Sequence, residues 1–326
     1  MVKPNSLRSA IACFGLLFTA IPVTPVLAQT PTTVTIPEAY YLGVNQSRLR
    51  NYGEALFELT TAIRISPSFA EAYYQRGFVH EKMGNDIEAI ADYNRAIQRD
   101  PSLEVAYLQR GKLRAETDNV TGALADFNSI LTSLNPNNIL ALVERGRAYT
   151  SIGETELALK DFSQAINLNN RLAAAYVERG LIYQQVNNAV QAVADYSMAV
   201  QIDPSLVTPY LQRGAIYRQG NRIDEAIADY NFALRNDPDN ATAYYLRGIA
   251  MEQKGQYQAA FTDYSRAIEF NQNIAPAYGN RGSLYAQRGE YAAAKQDYRR
   301  AAQLFAEQGK QDDYLLTLEL LRTLPD

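Results

Sequence analysis

The sequence predicts an all-α solenoid of eight helix–turn–helix units, closed by a C-terminal capping helix. Three observations carry this. Glycine recurs at an almost fixed interval: Gly43, Gly77, Gly111, Gly146, Gly180, Gly214, Gly248 and Gly282, in steps of 34 residues with one step of 35. A period between about 20 and 50 residues marks a stacked repeat. With Gly77 counted as position 8 of its unit, position 20 is alanine in every unit: Ala55, Ala89, Ala123, Ala158, Ala192, Ala226, Ala260 and Ala294. Within each unit, apolar residues recur twice at helical spacing, as in Tyr176, Gly180 and Tyr183, then Ala226, Tyr230 and Ala233.

Residues 1–28 read as an address. Lys3 and Arg8 precede an apolar stretch from Ile11 to Val23, and Val26-Leu27-Ala28 sets small residues before Gln29. This is the pattern of a cleaved secretory signal peptide. The rival reading is an uncleaved membrane anchor, for which the apolar run falls short of the ~20 residues a bilayer needs. Residues 29–35, rich in Thr and Pro, read as a flexible lead-in.

Residues 36–308 are the eight units: 36–69, 70–103, 104–138, 139–172, 173–206, 207–240, 241–274 and 275–308. Gly84, Asp118, Gly153, Asn187, Asn221, Gly255 and Gly289 suit the left-handed turn that ends a first helix. Pro67, Pro101, Pro136, Pro204 and Pro238 close the second helices. Small residues at positions 8, 20 and 27 let helix axes approach to about 8 Å, and aromatics fill the wider gaps. Unit three departs, with Ile130 at position 27, Arg114 at position 11, and an extra residue before Pro136 that is expected to lengthen the following turn. Residues 309–326 carry Tyr314, Leu315, Leu318, Leu321 and Leu324 at helical spacing and read as the capping helix.

This pattern resembles the tetratricopeptide (TPR) family, whose unit of ~34 residues has aromatics near positions 4, 11 and 24, small residues at 8, 20 and 27, and proline at 32. The resemblance implies a right-handed superhelix that binds along its concave face. One departure stands out. Position 7 is arginine in seven units: Arg76, Arg110, Arg145, Arg179, Arg213, Arg247 and Arg281. Position 23 is always acidic: Glu58, Asp92, Asp126, Asp161, Asp195, Asp229, Asp263 and Asp297. Periodic charges of opposite sign predict a ladder of ion pairs. Two registers fit, within a unit (Arg76 with Asp92) or across units (Asp92 with Arg110). The second is the expected one, because unit one supplies an acid although Leu42 stands in place of its arginine.

Composition argues against several functions. The net charge is −4, and near −6 without residues 1–28, which does not suit a phosphate-backbone binder. The single cysteine, Cys13, lies in the leader, and the single histidine, His80, occupies an aromatic position of its unit. A zinc site or a Ser-His-Asp triad is therefore unsupported, no phosphate-cradling glycine loop is present, and no cofactor is implied. Of the 23 tyrosines, 15 fall at positions 4, 11 and 24; Tyr52, Tyr257 and Tyr291 open second helices and read as further packing.

By resemblance, the groove is lined by positions 2, 5, 9, 12 and 13 of the first helices. Position 5 gives an apolar stripe: Tyr40, Tyr74, Leu108, Val143, Val177, Leu211 and Tyr245. Position 13 gives a glutamine row: Gln185, Gln219, Gln253 and Gln287. Such a line suits a peptide segment whose backbone is met by amides. The expected protein is a non-catalytic scaffold of the cell envelope, exported to the periplasm or secreted, that binds another protein or peptide and no nucleic acid. The alternatives are an accessory subunit for an envelope enzyme or assembly machinery, and a spacer with no groove ligand.

Overall fold

The computed structural model describes residues 35–325, so the leader and nearly all of the lead-in lie outside the described residues. Seventeen α-helices follow one another, with no strand among the described residues. The first sixteen form antiparallel pairs, from Ile36–Arg48 with Tyr52–Ile65 to Ala275–Gln287 with Tyr291–Glu307. Each helix packs against its chain neighbours, and the first helices of successive units also touch one another through unit seven. Second helices do not approach each other to that degree. The first helices therefore line the inner, concave side. No helix among the described residues is long and apolar enough to cross a membrane.

Unit two shows how the sequence builds a pair. Its first helix, Ala70–Lys82, buries Ala72, Tyr73, Gly77 and Val79. Gly84 (φ 76°) ends it in the left-handed region. The Gly84 N–H donates to the Glu81 carbonyl (3.0 Å) and the Asn85 N–H to the His80 carbonyl (2.9 Å), which satisfies the free carbonyls of the last turn. The second helix, Asp86–Arg99, buries Ala89, Asp92, Tyr93 and Ala96. The turn into unit three is fixed by Asp100, whose carboxylate accepts from the Ser102 N–H (2.9 Å) and hydroxyl (2.6 Å).

The period-defining glycines meet the aromatics of position 24. A methyl group placed on Gly180 would lie 2.7 Å from a Tyr196 ring carbon, and one on Gly111 2.6 Å from Phe127. Glycine is the only residue that admits these rings, and Tyr93, Phe162, Tyr196, Tyr230 and Tyr264 are fully buried as a result.

Two expectations are corrected. The extra residue of unit three does not lengthen the turn. The second helix runs as α-helix from Val120 to Ser129 and continues as a π-helix from Ile130 to Leu134, with the Asn135 N–H bonded to the Ile130 carbonyl at 2.7 Å. A widened helical turn absorbs the insertion while Ile130 and Leu131 stay buried. In the capping helix, Gln311–Thr323, Leu315 does not pack inward. Tyr314 joins the last core cluster beside Leu304 and Phe305, and Thr317 is buried. Leu315 (53 % exposed), Leu316 (57 %) and Leu320 (38 %) face outward.

Candidate partner-binding groove

The arginine ladder ties the two helices of each unit together behind the groove-lining first helices. Its register is within units, contrary to the cross-unit expectation. In all seven units the arginine Nε donates to the Oδ2 of the aspartate sixteen residues on, at 2.7–3.0 Å, and Nη2 donates to Oδ1 of the same carboxylate. These forks are strong because both partners are charged and the geometry is bidentate. The hydrogen bond to the paired aspartate also pushes the guanidinium pKa of Arg76, Arg145, Arg179, Arg213 and Arg247 upward. The aspartates Asp92, Asp126, Asp161, Asp195, Asp229, Asp263 and Asp297 are all at most 5 % exposed. A buried carboxylate requires a counter-charge, which explains why neither partner of the pair varies alone in units two to eight.

The fastening between units uses a different residue. Nη1 of each arginine reaches back to position 25 of the preceding second helix: Arg76 to Thr60, Arg110 to Asn94, Arg145 to Asn128, Arg179 to Ser163, Arg213 to Ser197, Arg247 to Asn231 and Arg281 to Ser265. Sequence reasoning missed this acceptor because Thr, Asn and Ser differ in type while sharing one capability, an oxygen at reach. The ends break the pattern. Unit one has Leu42 and no preceding unit to hold, and Glu58 is left half-buried with no ion pair to a described residue. In unit eight position 25 is Arg299, an exposed cation in place of an acceptor. In unit three Arg114 replaces an aromatic and shares Asp126 with Arg110, at 2.8 Å.

The stripe at position 5 is mostly half-buried. Tyr40, Tyr74, Leu108, Val177, Leu211 and Tyr245 keep part of their surface. Val143 is 7 % exposed and belongs to the core cluster of units three to five. Leu211 wedges between two clusters, beside Tyr210 on one side and Tyr230 on the other. Gln185, Gln219, Gln253 and Gln287 are all exposed. The stripe therefore forms a floor, and the glutamines are the free hydrogen-bonding groups at its margin.

Position 12, expected by resemblance to line the groove, anchors the buried rings in three units. The Tyr93 hydroxyl donates to Glu81 (2.7 Å), Tyr196 to Gln184 (2.8 Å) and Tyr264 to Glu252 (2.6 Å). Burial pushes the phenol pKa of all three well above the ordinary range, and the neighbouring Glu81 and Glu252 raise it further at Tyr93 and Tyr264. His80 Nδ1 is buried with no hydrogen-bond partner, and no acid orients the ring for catalysis. Tyr257 (50 % exposed) and Tyr291 (39 %) are surface residues, not the packing rings expected from their position.

A hollow on the inner side lies between units one and two, a cavity of about 490 Å³ lined by Val44, Ser47, Arg48, Arg50, Tyr52, Tyr74, Gln75, Phe78 and Lys82. A smaller one of about 280 Å³ adjoins it across Lys82, with Gln109, Lys112 and Glu116 on its wall.

Sequence profiles of the TPR repeat match residues 50–84, 146–187 and 214–255, and profiles of the tetratricopeptide repeat match 70–103, 241–274 and 275–308. Together they span more than half of the chain. The chain belongs to the tetratricopeptide repeat family. No curated protein matches it. Among solved structures it is similar to a TPR protein from Parabacteroides merdae, at 21% identity and TM-score 0.58, over 76% of this chain and 98% of that one. It is similar to Pseudomonas aeruginosa pilF at 16% identity and TM-score 0.58, over 67% and 97%. It also resembles a chain of an APC/C hetero-tetramer at 16% identity and TM-score 0.58, over 84% of this chain and 53% of that one. At these identities the likeness establishes the fold. TPR arrays are generally non-catalytic scaffolds that bind peptides or proteins.

Proposed function

We propose that this TPR array is an exported, non-catalytic scaffold of the cell envelope that holds a segment of another protein along its inner face. The observation that carries the reading is the half-buried apolar floor at position 5 beside the exposed amides Gln185, Gln219, Gln253 and Gln287. An extended or helical segment laid there buries its side chains on the floor and meets amides with its backbone. Export rests on Lys3, Arg8, the apolar stretch and Val26-Leu27-Ala28, and implies a mature chain beginning at Gln29. Terminal sequencing of the secreted or periplasmic protein checks the last point; a retained Met1 there overturns cleavage.

Substituting floor residues such as Leu211 would loosen the array as well as the groove, since Leu211 packs on both of its neighbours. The exposed row gives the cleaner test. Gln185→Ala, Gln219→Ala and Gln253→Ala together are expected to leave the melting temperature within about 2 °C, as surface substitutions do. They are expected to weaken capture of the native partner about ten-fold or more, the loss of several hydrogen bonds. A photo-crosslinker at position 219 identifies that partner. Capture that survives the triple variant unchanged removes the groove from the reading.

A further inference from the structure

The two ends of the array each break a rule that the interior keeps, and the breaks are complementary. Every unit closes its first helix with a left-handed residue. In units two to eight that residue is glycine, asparagine or aspartate, but in unit one it is Arg50, at φ 62°. A side chain without special tolerance in this conformation costs about 1 kcal/mol, and such strain concentrates where a side chain is needed. Arg50 lines the cavity between units one and two together with Arg48 and Lys82, of which Lys82 is already paired with Glu81 at 3.0 Å. Arg48 and Arg50 form no ion pair with a described residue. Tyr52, Tyr74 and Phe78 give the same hollow three aromatic surfaces. It is an apolar, cationic receptacle.

The other end carries the matching surface. A terminal cap keeps its outer face polar so that the stack ends in water. Here the outer face of Gln311–Thr323 exposes Leu315, Leu316 and Leu320, interleaved with the exposed acids Asp312, Asp313 and Glu319. Arg322 is exposed on the same helix, so three acids stand beside one cation, and no described residue covers the leucines.

We propose that the capping helix of one copy docks in the cavity between units one and two of a second copy, head to tail. The leucines enter the aromatic hollow, and Asp312 and Glu319 meet Arg48 and Arg50. The opposite charges steer the encounter and make it sensitive to salt. The contact joins two different surfaces, so each copy retains one free end of each kind. This inference does not depend on the glutamine-lined part of the groove.

Sedimentation velocity of the full protein tests it. Species larger than a monomer are expected to accumulate with concentration up to about 200 µM, and to recede between about 50 and 300 mM salt. The variant Arg48→Glu with Lys82→Glu, and separately Leu316→Glu with Leu320→Glu, are each expected to associate at least about ten-fold more weakly. Circular dichroism confirms that both remain folded. The decisive arm mixes the two variants, because one keeps an intact cap and the other an intact cavity. The mixture is expected to recover a heterodimer and nothing longer. A wild-type monomer throughout the range overturns the proposal, as do variants that associate like wild type, or a mixture that stays monomeric. A photo-crosslinker at position 48 that reaches only foreign proteins also overturns it, by assigning the cavity another occupant.

Discussion

At the scale of single residues, two adjacent positions in each unit hold the fold by different means. Gly180 keeps a gap open for Tyr196, and Arg179 neutralises the buried Asp195. Gly180→Ala gains about 1 kcal/mol of helix propensity but forces a methyl into a ring 2.7 Å away. Overpacking of this kind costs about 1–3 kcal/mol, so the net effect is a loss. Arg179→Ala strands a carboxylate in the core and is expected to lose more, about 3 kcal/mol. Urea denaturation of the two variants checks the order, Arg179→Ala below Gly180→Ala below wild type. The glycine and its aromatic were legible in the sequence because a fixed residue type repeats at a fixed place. The inter-unit acceptor was not, because Thr60, Asn94 and Ser163 share a function without sharing an identity. The register of the ladder was misread for a related reason: Glu58 kept its charge after Leu42 replaced the arginine, which suggested a partner in the next unit that the structure does not provide.

At the scale of elements, the sequence located every helix pair but misplaced one insertion. Proline and asparagine near 135–138 marked a turn, and an extra residue beside a turn is naturally assigned to it. The helix took it instead, because widening one turn keeps Ile130 and Leu131 in the core and leaves the turn geometry unchanged. The π-helix also lies after Asn128, so the bond from Arg145 survives at a spacing of 17 residues. Deleting the exposed Thr132 is therefore expected to restore a regular α-helix and the common spacing, with a melting temperature equal to or above that of wild type. A fall of more than about 5 °C, a loss of roughly 2 kcal/mol in an array of this length, would mean that the widened turn is required. The capping helix was recognised from its spacing, but its inner face was set by Tyr314 and Thr317, and a threonine carries no signal in a hydrophobic pattern.

At the scale of the whole molecule, the array is a sum of similar units and similar interfaces, and its responses repeat along the chain. Its buried tyrosines make this visible at high pH. The phenols of Tyr93, Tyr196, Tyr230 and Tyr264 are pushed up by burial in the folded chain. A folded pKa above the unfolded one means that the stabilisation is complete below about pH 10, where both states are protonated. It is lost as pH rises beyond that, because only the unfolded chain releases the protons. The melting temperature is expected to fall steeply above about pH 10, with these phenols ionising only as the chain opens; an ultraviolet titration that ionises all the tyrosines together in the folded state would contradict this.

The arginine that grips backward gives the chain punctuation. Leu42 is a start mark, since it has no guanidinium with which to grip backward. Arg299 is a stop mark, since a cation there repels the guanidinium that a ninth unit would bring. Between the marks any unit is interchangeable in its joints, so duplication or loss of an internal copy leaves every joint readable. A ninth copy that carried the arginine would set it against Arg299 unless Arg299 were an acceptor. By this punctuation the array lengthens more readily from its middle than from its end.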